Sequence, residues 1–256
     1  MGLFSKLLGN KEQPQVQPND NAKQIAELTG CECKNISGFL NSDSIMKLYK
    51  DESEKGQREG YIPIILVLNG HLLEMIQCNY KDNGGAESYR SKMLSADISH
   101  GESFLKQRFD ENTEMFEEDF GDDDIYGEYT DGVTPALNFL STDNNEKLIL
   151  VRIPANKPWE VFAWIPFGGW NECPDTEDMM AVCKYWHEKY KAVPAVISSD
   201  ELQMFLSAPI KSIDEALKAA EEHYAFCNDT VDQGAGTLKA LASTLKESNV
   251  WYFWWD

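Results

Sequence analysis

Positive charge is scarce in this chain. Lys and Arg number 23 against 43 Asp and Glu, a net charge of −20 over 256 residues. A field that negative repels phosphate backbones and anionic headgroups, which argues against nucleic acid and acidic membrane surfaces as general partners. Long apolar runs are missing too, and none approaches the ~20 residues that a membrane-spanning helix needs. The first apolar stretch, Leu3 to Leu8, is broken by Ser5 and Lys6 and is too short for a secretory core. Gly2 makes no myristoylation signal, because Lys6 stands where Ser or Thr is required. Residues 1–21 therefore read as a flexible tail, a fraying turn followed by the polar linker GNKEQPQVQPNDN. There is no phosphate-cradling Walker sequence, no GxSxG elbow and no CxxC pair, so the usual short signatures of catalysis are absent.

What is present suffices for a large core. Hydrophobic residues make up 42% of the chain, too many for a disordered one. Six cysteines, at 31, 33, 78, 173, 183 and 227, come with no export signal and read as free thiols in a reducing cytoplasm.

Residues 22–109 read as an N-terminal α/β region. Helices are expected near Ala22–Leu28 and Ser42–Gly56, the second with Ile45, Leu48 and Tyr49 on one face and Gly56 as its stop. Tyr61–Leu68 (YIPIILVL) reads as a strand buried on both faces, with Pro63 placing its start at an edge or an irregularity. Helices over His71–Cys78 and Glu87–Phe109 follow. Residues 110–146 form an acidic connecting segment. Between Asp110 and Asp131 lie eleven acids and no Lys or Arg, which reads as a solvated loop.

Residues 147–256 form a C-terminal domain. Leu148–Ile153 and Glu160–Ile165 read as strands, and a helix runs from about Asp175 to Tyr190 with Met179, Cys183, Trp186 and Tyr190 on one face. Val193–Ser198 is the next strand, so residues 160–198 predict a right-handed βαβ unit. Ser198 with Glu201 suggests a capping box for a short helix, and Ser212 with Glu215 another for a longer one. A last helix carries Leu238, Leu241, Ala242 and Leu245. The chain then ends in a strand, VWYFWWD, with Trp251, Phe253 and Trp255 on one face and Tyr252 and Trp254 on the other.

The segments PWEVFAWIPFGGWNECP, AFCNDTVDQG and WYFWWD, with REGYIPIILVL upstream, resemble the bacterial family called domain of unknown function 4253. The likeness covers about residues 145–256, and less closely 40–110. It implies a bacterial cytoplasmic protein without an established activity, and it leaves an immunity role against a toxin open.

Candidate ligand-binding residues gather after residue 165, where an open α/β sheet binds ligands at its strand ends. Gly168 and Gly169 let backbone approach a ligand, Trp170 offers a flat apolar contact, and Asn171 and Glu172 supply polar groups. Cys173 precedes Pro174 at a helix start, where the helix dipole would lower its thiol pKa. The plainer reading is a tight turn whose Trp and Cys pack, and it ranks first. Asp200, Asp229 and Asp232 could line the same pocket, although capping explains Asp200 equally well. His187, fourteen residues along the same helix, is roughly 20 Å from Cys173 and cannot be its base. His223 stays open as one. The pairs Cys183/His187 and His223/Cys227 have zinc-ligand spacing, yet their cysteines fall on apolar stripes, so core packing is preferred. Asp122, Asp123 and Asp124 fail the calcium-loop pattern at Tyr126 and Val133.

The expectation is therefore an α/β protein with a mixed, mostly covered sheet and helices on both faces, with no metal and no cofactor. Its leading function is binding a basic protein partner through the acidic face, as an immunity-type protein would. The alternative is an enzyme of unknown reaction built on the GGWNECP loop and nearby carboxylates.

Overall fold

The computed structural model describes residues 21–37, 41–120, 124–131 and 147–256. Residues 1–20 of the expected tail and two of the acids in the cluster, Asp122 and Asp123, lie outside them, while Asn21 opens the first helix. Among the described residues are six strands: β1 (Glu32–Ile36), β2 (Ile62–Leu68), β3 (Lys147–Ile153), β4 (Ala192–Ile197), β5 (Glu201–Leu206) and β6 (Val250–Trp254). The helices are α1 (Asn21–Thr29), α2 (Ser42–Glu59), α3 (Gly70–Asp82), α4 (Ala86–Ser95), α5 (Gly101–Phe120), α6 (Thr176–Tyr190), α7 (Ile213–Phe226) and α8 (Leu238–Leu245).

All six strands share one sheet in the order β1-β3-β2-β4-β5-β6. β2 runs parallel to β4, and every other neighbouring pair is antiparallel. The N-terminal strands thus join the C-terminal ones in a single mixed sheet. β2 shows why its sequence is almost wholly apolar. Ile64, Leu66 and Leu68 face the larger core, while Ile65 and Val67 face a smaller one. Each such side chain contributes roughly 1.5–3 kcal/mol on burial. β4 is in register with β2 only at Ile65 and Leu66, so Pro63, which lacks an N–H, sits where that neighbour is not paired.

Helices cover both faces unequally. α2 lays Ile45 and Tyr49 on the smaller core, whereas residues of α1, α3, α4, α5, α6, α7 and α8 enter the larger one. Capping follows the sequence. The Asn41 side chain accepts from the Ser44 N–H at 2.9 Å, and the Asn69 side chain from Leu72 at 2.8 Å; each such cap is worth about 1 kcal/mol. α2 runs through Gly56 and stops at Gly60, whose φ of +81° ends the helix in a left-handed turn. Gly56 is required for a different reason: a Cβ there would lie 2.3 Å from the Tyr61 carbonyl.

Four expectations need correction. Residues 160–165 are not a strand: 160–163 belong to a short 3-10 helix, Pro158–Ala163, and 164–165 turn out of it. The Glu160 carboxylate accepts from the N–H groups of Asn156 and Lys157, both at 3.0 Å. The Phe162 and Trp164 carbonyls accept from Tyr89 and Tyr80. Buried tyrosines thus do what a neighbouring strand would have done, and an all-apolar segment is compatible with either solution. It follows that the parallel pair is β2 with β4, not 160–165 with 193–198. Second, Ser198-x-x-Glu201 closes a hairpin rather than capping a helix. The Ser198 hydroxyl accepts from the Asp200 and Glu201 N–H groups, and β5 begins at Glu201. Third, the helix expected over 87–109 divides into α4 and α5. Last, residues 110–120 extend α5 instead of forming a loop, because Asn112 anchors them. Its amide donates to the Tyr224 carbonyl at 2.8 Å, and the Tyr224 hydroxyl donates back at 3.1 Å. Further along, Ile125 is buried, and the carbonyls of Ile125 and Tyr126 accept from the first N–H groups of α8.

Candidate functional site

The loop 166–174 folds onto itself. Gly168 has φ +97°, and a Cβ there would come within 2.0 Å of the Pro174 carbonyl. Gly169 donates its N–H to that same carbonyl at 3.0 Å, and Cys173 donates to the Trp170 carbonyl at 2.9 Å. Asn171 sits at φ +46°, a conformation that Asn tolerates better than most residues. Trp170 meets Phe167 edge-on at 4.9 Å, and Phe167 meets Trp255 at 5.8 Å. Glu172 points outward to Arg108 of α5, at 2.8 Å.

Cys173 is buried, 4% exposed, and lies two residues before the Asp175 cap of α6. Burial pushes its thiol pKa up, and the neighbouring Cys227 and Asp175 push it the same way. The expected lowering by the helix dipole is therefore overturned, since desolvation of the thiolate outweighs a partial charge. Cys227 behaves likewise. Burial raises it to about 12, and its Sγ donates to the Trp254 carbonyl at 3.0 Å.

His223 is equally occupied. It is 1% exposed, with ring centroids 4.5 Å from Trp251, 4.7 Å from Phe253 and 5.5 Å from Trp186. Its Nδ1 lies 2.6 Å from the Ala219 carbonyl, while Nε2 has no partner. Burial lowers its pKa to about 3. His187 packs against Trp159 at 5.5 Å. Among the described residues, no three His, Cys, Asp or Glu side chains are grouped as a metal would need. The described cysteines are all free.

A hollow lies beside this packed layer. After α7, residues Thr230–Ala235 form one turn of π-helix, with the Gly236 N–H reaching the Val231 carbonyl at 2.9 Å. Gly234 and Ala235, the two smallest residues of this turn, line a space beside it and put little into it. Asp229, Thr230 and Gln233 border this space on one side, and Leu241, Thr244 and Leu245 of α8 on another. Tyr252 and Trp254, the outward pair of β6, close it. The cavity measures about 290 Å³.

The candidate residues divide accordingly. Asn171 donates to the Asp256 carbonyl, and the Asp256 N–H donates to Asp229 Oδ2 at 3.2 Å, so these two candidates meet through the end of β6. Asp200 joins them by its carbonyl, which accepts from Trp255 at 3.1 Å, while its carboxylate accepts from Ser198 and Ser199. Asp232 faces solvent and accepts from Asn228. Gly168 and Gly169 border a separate polar cleft at the start of α6. Sequence reasoning passed over Thr230, Gln233, Gly234, Ala235, Tyr252 and Trp254. Their signal was available, because the quoted segments AFCNDTVDQG and WYFWWD supply all of them but Ala235, the next residue along.

The three C-terminal segments singled out by resemblance thus meet at one end of one sheet, and the match to known families falls on them. Residues 149–256 match the family described as Domain of unknown function (DUF4253). The DUF4253 region spans β3 to β6 and includes the packed loop and the hollow. β1 and β2, which complete its sheet, lie outside the matched residues. No curated protein and no solved structure matched the chain. Among the described residues, no helix is long and apolar enough to cross a membrane.

Proposed function

We propose that this protein is a binding protein of the immunity type, engaging a basic protein partner such as a cationic toxin or nuclease through the outer face of α5. The observation that carries this reading is the make-up of that face. Asp110, Glu111, Glu114 and Glu117 are all exposed, and Met115 among them is 42% exposed. Leu105 and Asn112 fix the inner side of the same helix in the core. A rigid row of carboxylates around an exposed thioether suits a cationic surface with an apolar centre, and opposite fields speed the encounter. The alternative, an enzyme using the GGWNECP loop, draws no support from a buried thiol with a raised pKa. Nor do the nearby carboxylates favour it, being already hydrogen-bonded by Gln233, Asn228, Ser198 and Ser199.

A photo-crosslinking side chain at position 115, compared with one at the exposed position 47 of α2, tests the reading in the source cell. The expected adduct forms at 115 alone, with a protein of strongly basic composition. Its association rate should fall about tenfold in the Asp110→Asn/Glu114→Gln/Glu117→Gln variant at low salt. The gap should close near 1 M salt, where the Debye length is ~3 Å. No adduct at 115, an acidic captured protein, or an unchanged rate would each overturn it.

A further inference from the structure

We infer that the hollow between the π-helical turn, α8 and β6 is a binding site for a small organic ammonium carried on an apolar body. The cavity shares no residue with the outer face of α5, so this inference stands apart from the partner reading. At about 290 Å³ it lies near the lower end of ligand pockets, which begin at ~300 Å³. Its walls are Leu241, Leu245 and Ala235 with the rings of Tyr252 and Trp254, so the body of the ligand must be apolar.

The preference for a cation follows from how the polar atoms are spent. The Thr230 hydroxyl donates to the Cys227 carbonyl at 2.7 Å, and the Thr244 hydroxyl to Ala240 at 3.3 Å. The Tyr252 hydroxyl donates to Glu201 at 2.7 Å, and the Gln233 amide to Asp229 Oδ1 at 2.7 Å. The hydroxyl hydrogens are thus committed inside the protein and their oxygens keep acceptor capacity, while the Asp229 carboxylate, bonded by Gln233 at Oδ1 and by the Asp256 N–H at Oδ2, still brings a negative charge to the cavity and outweighs the second Gln233 N–H. An acceptor-lined space selects a donor. The aromatic faces of Trp254 and Tyr252 attract a cation more than a neutral donor, and the chain's charge of −20 repels anions. A primary ammonium on a ring satisfies all three requirements.

The test follows the indole N–H signal of Trp254 by NMR, assigned among the seven tryptophans with a Trp254→Phe variant. Benzylamine, benzyl alcohol and benzoate share a shape and differ in charge. Benzylamine should shift the Trp254 signal saturably at millimolar concentration. Benzyl alcohol should bind about tenfold more weakly, the equivalent of ~1.4 kcal/mol, and benzoate should not bind. Asp229→Asn should narrow the gap between benzylamine and benzyl alcohol to the part that the aromatic faces supply, while Ala235→Phe, which fills the space, should abolish both. If Ala235→Phe fails to fold, the Asp229→Asn comparison still decides. N-acetyl-lysine methylamide, a mimic of a protein side chain, should bind more weakly than benzylamine. Tighter binding by that mimic would overturn the small-molecule assignment. Equal binding of the amine and the alcohol to the parent protein would overturn the inference. So would a preference that Asp229→Asn leaves undiminished, or no saturable shift with any probe.

Discussion

The loop 166–174 and the turn 230–235 both lean on the terminal strand, yet one is filled and the other hollow. In the loop, Phe167, Trp170 and Cys173 pack inward, and Trp255 completes the contact. In the turn, Gly234 and Ala235 leave a cavity that the outward rings of Tyr252 and Trp254 border. The two use the same strand from opposite sides, since Trp255 belongs to its inward row and Trp254 to its outward one. A distinctive motif therefore has two uses in one molecule. Bulk makes a seal, and missing bulk makes a space.

The largest effect tests the dry layer behind both regions. His223 is held neutral there, with its pKa lowered to about 3 from the ordinary 6.5. The unfolded chain takes up that proton first, so the stability gained is complete above pH 6.5 and is lost as pH falls toward 3. The whole interval corresponds to about 5 kcal/mol, at about 1.4 kcal/mol per pH unit. Urea unfolding between pH 6.5 and 5 should show that slope, and His223→Phe should flatten it. Parallel lines for the two proteins would mean that the layer is wet.

The next effect contrasts the two glycines. Gly168→Ala forces a Cβ to 2.0 Å from the Pro174 carbonyl at φ +97° and should cost about 3 kcal/mol. Gly234→Ala meets the Asp229 carbonyl at 3.2 Å, with no positive φ, and should cost under ~1 kcal/mol. Chemical denaturation of both variants gives the comparison directly. Equal losses would show that the turn is as tightly built as the loop.

The parts of this contrast differ in how legible they are in sequence. β2, β3, β4 and β6 announce themselves, because short apolar runs bounded by turns have few other solutions, and α6 through its stripe of Met179, Cys183, Trp186 and Tyr190. Residues 160–165 mislead because burial on every side erases the period that separates strand from helix. Ser198 misleads because a hydroxyl serves a hairpin turn as readily as a helix cap. The acidic run after Asp110 hides a helix, since one inward Asn112 outweighs a charged exterior. At the site, Asn171 and Asp229 are recognisable as polar groups near strand ends. The hollow is not, because a π-turn follows from how α7 and α8 are joined and leaves no periodic mark. The dipole argument for Cys173 was sound in direction and lost to burial, which sequence spacing does not report.

The most direct measurement adds the same bulk to each region and reads the melting temperature. Cys173→Leu overpacks the filled loop and should cost about 1–3 kcal/mol, a drop of roughly 2–4 °C per kcal/mol at this size. Ala235→Leu enters the hollow and should leave the melting temperature unchanged or raise it. If both variants melt lower by the same amount, the turn holds no usable space, and the distinction between the sealed loop and the open one is wrong.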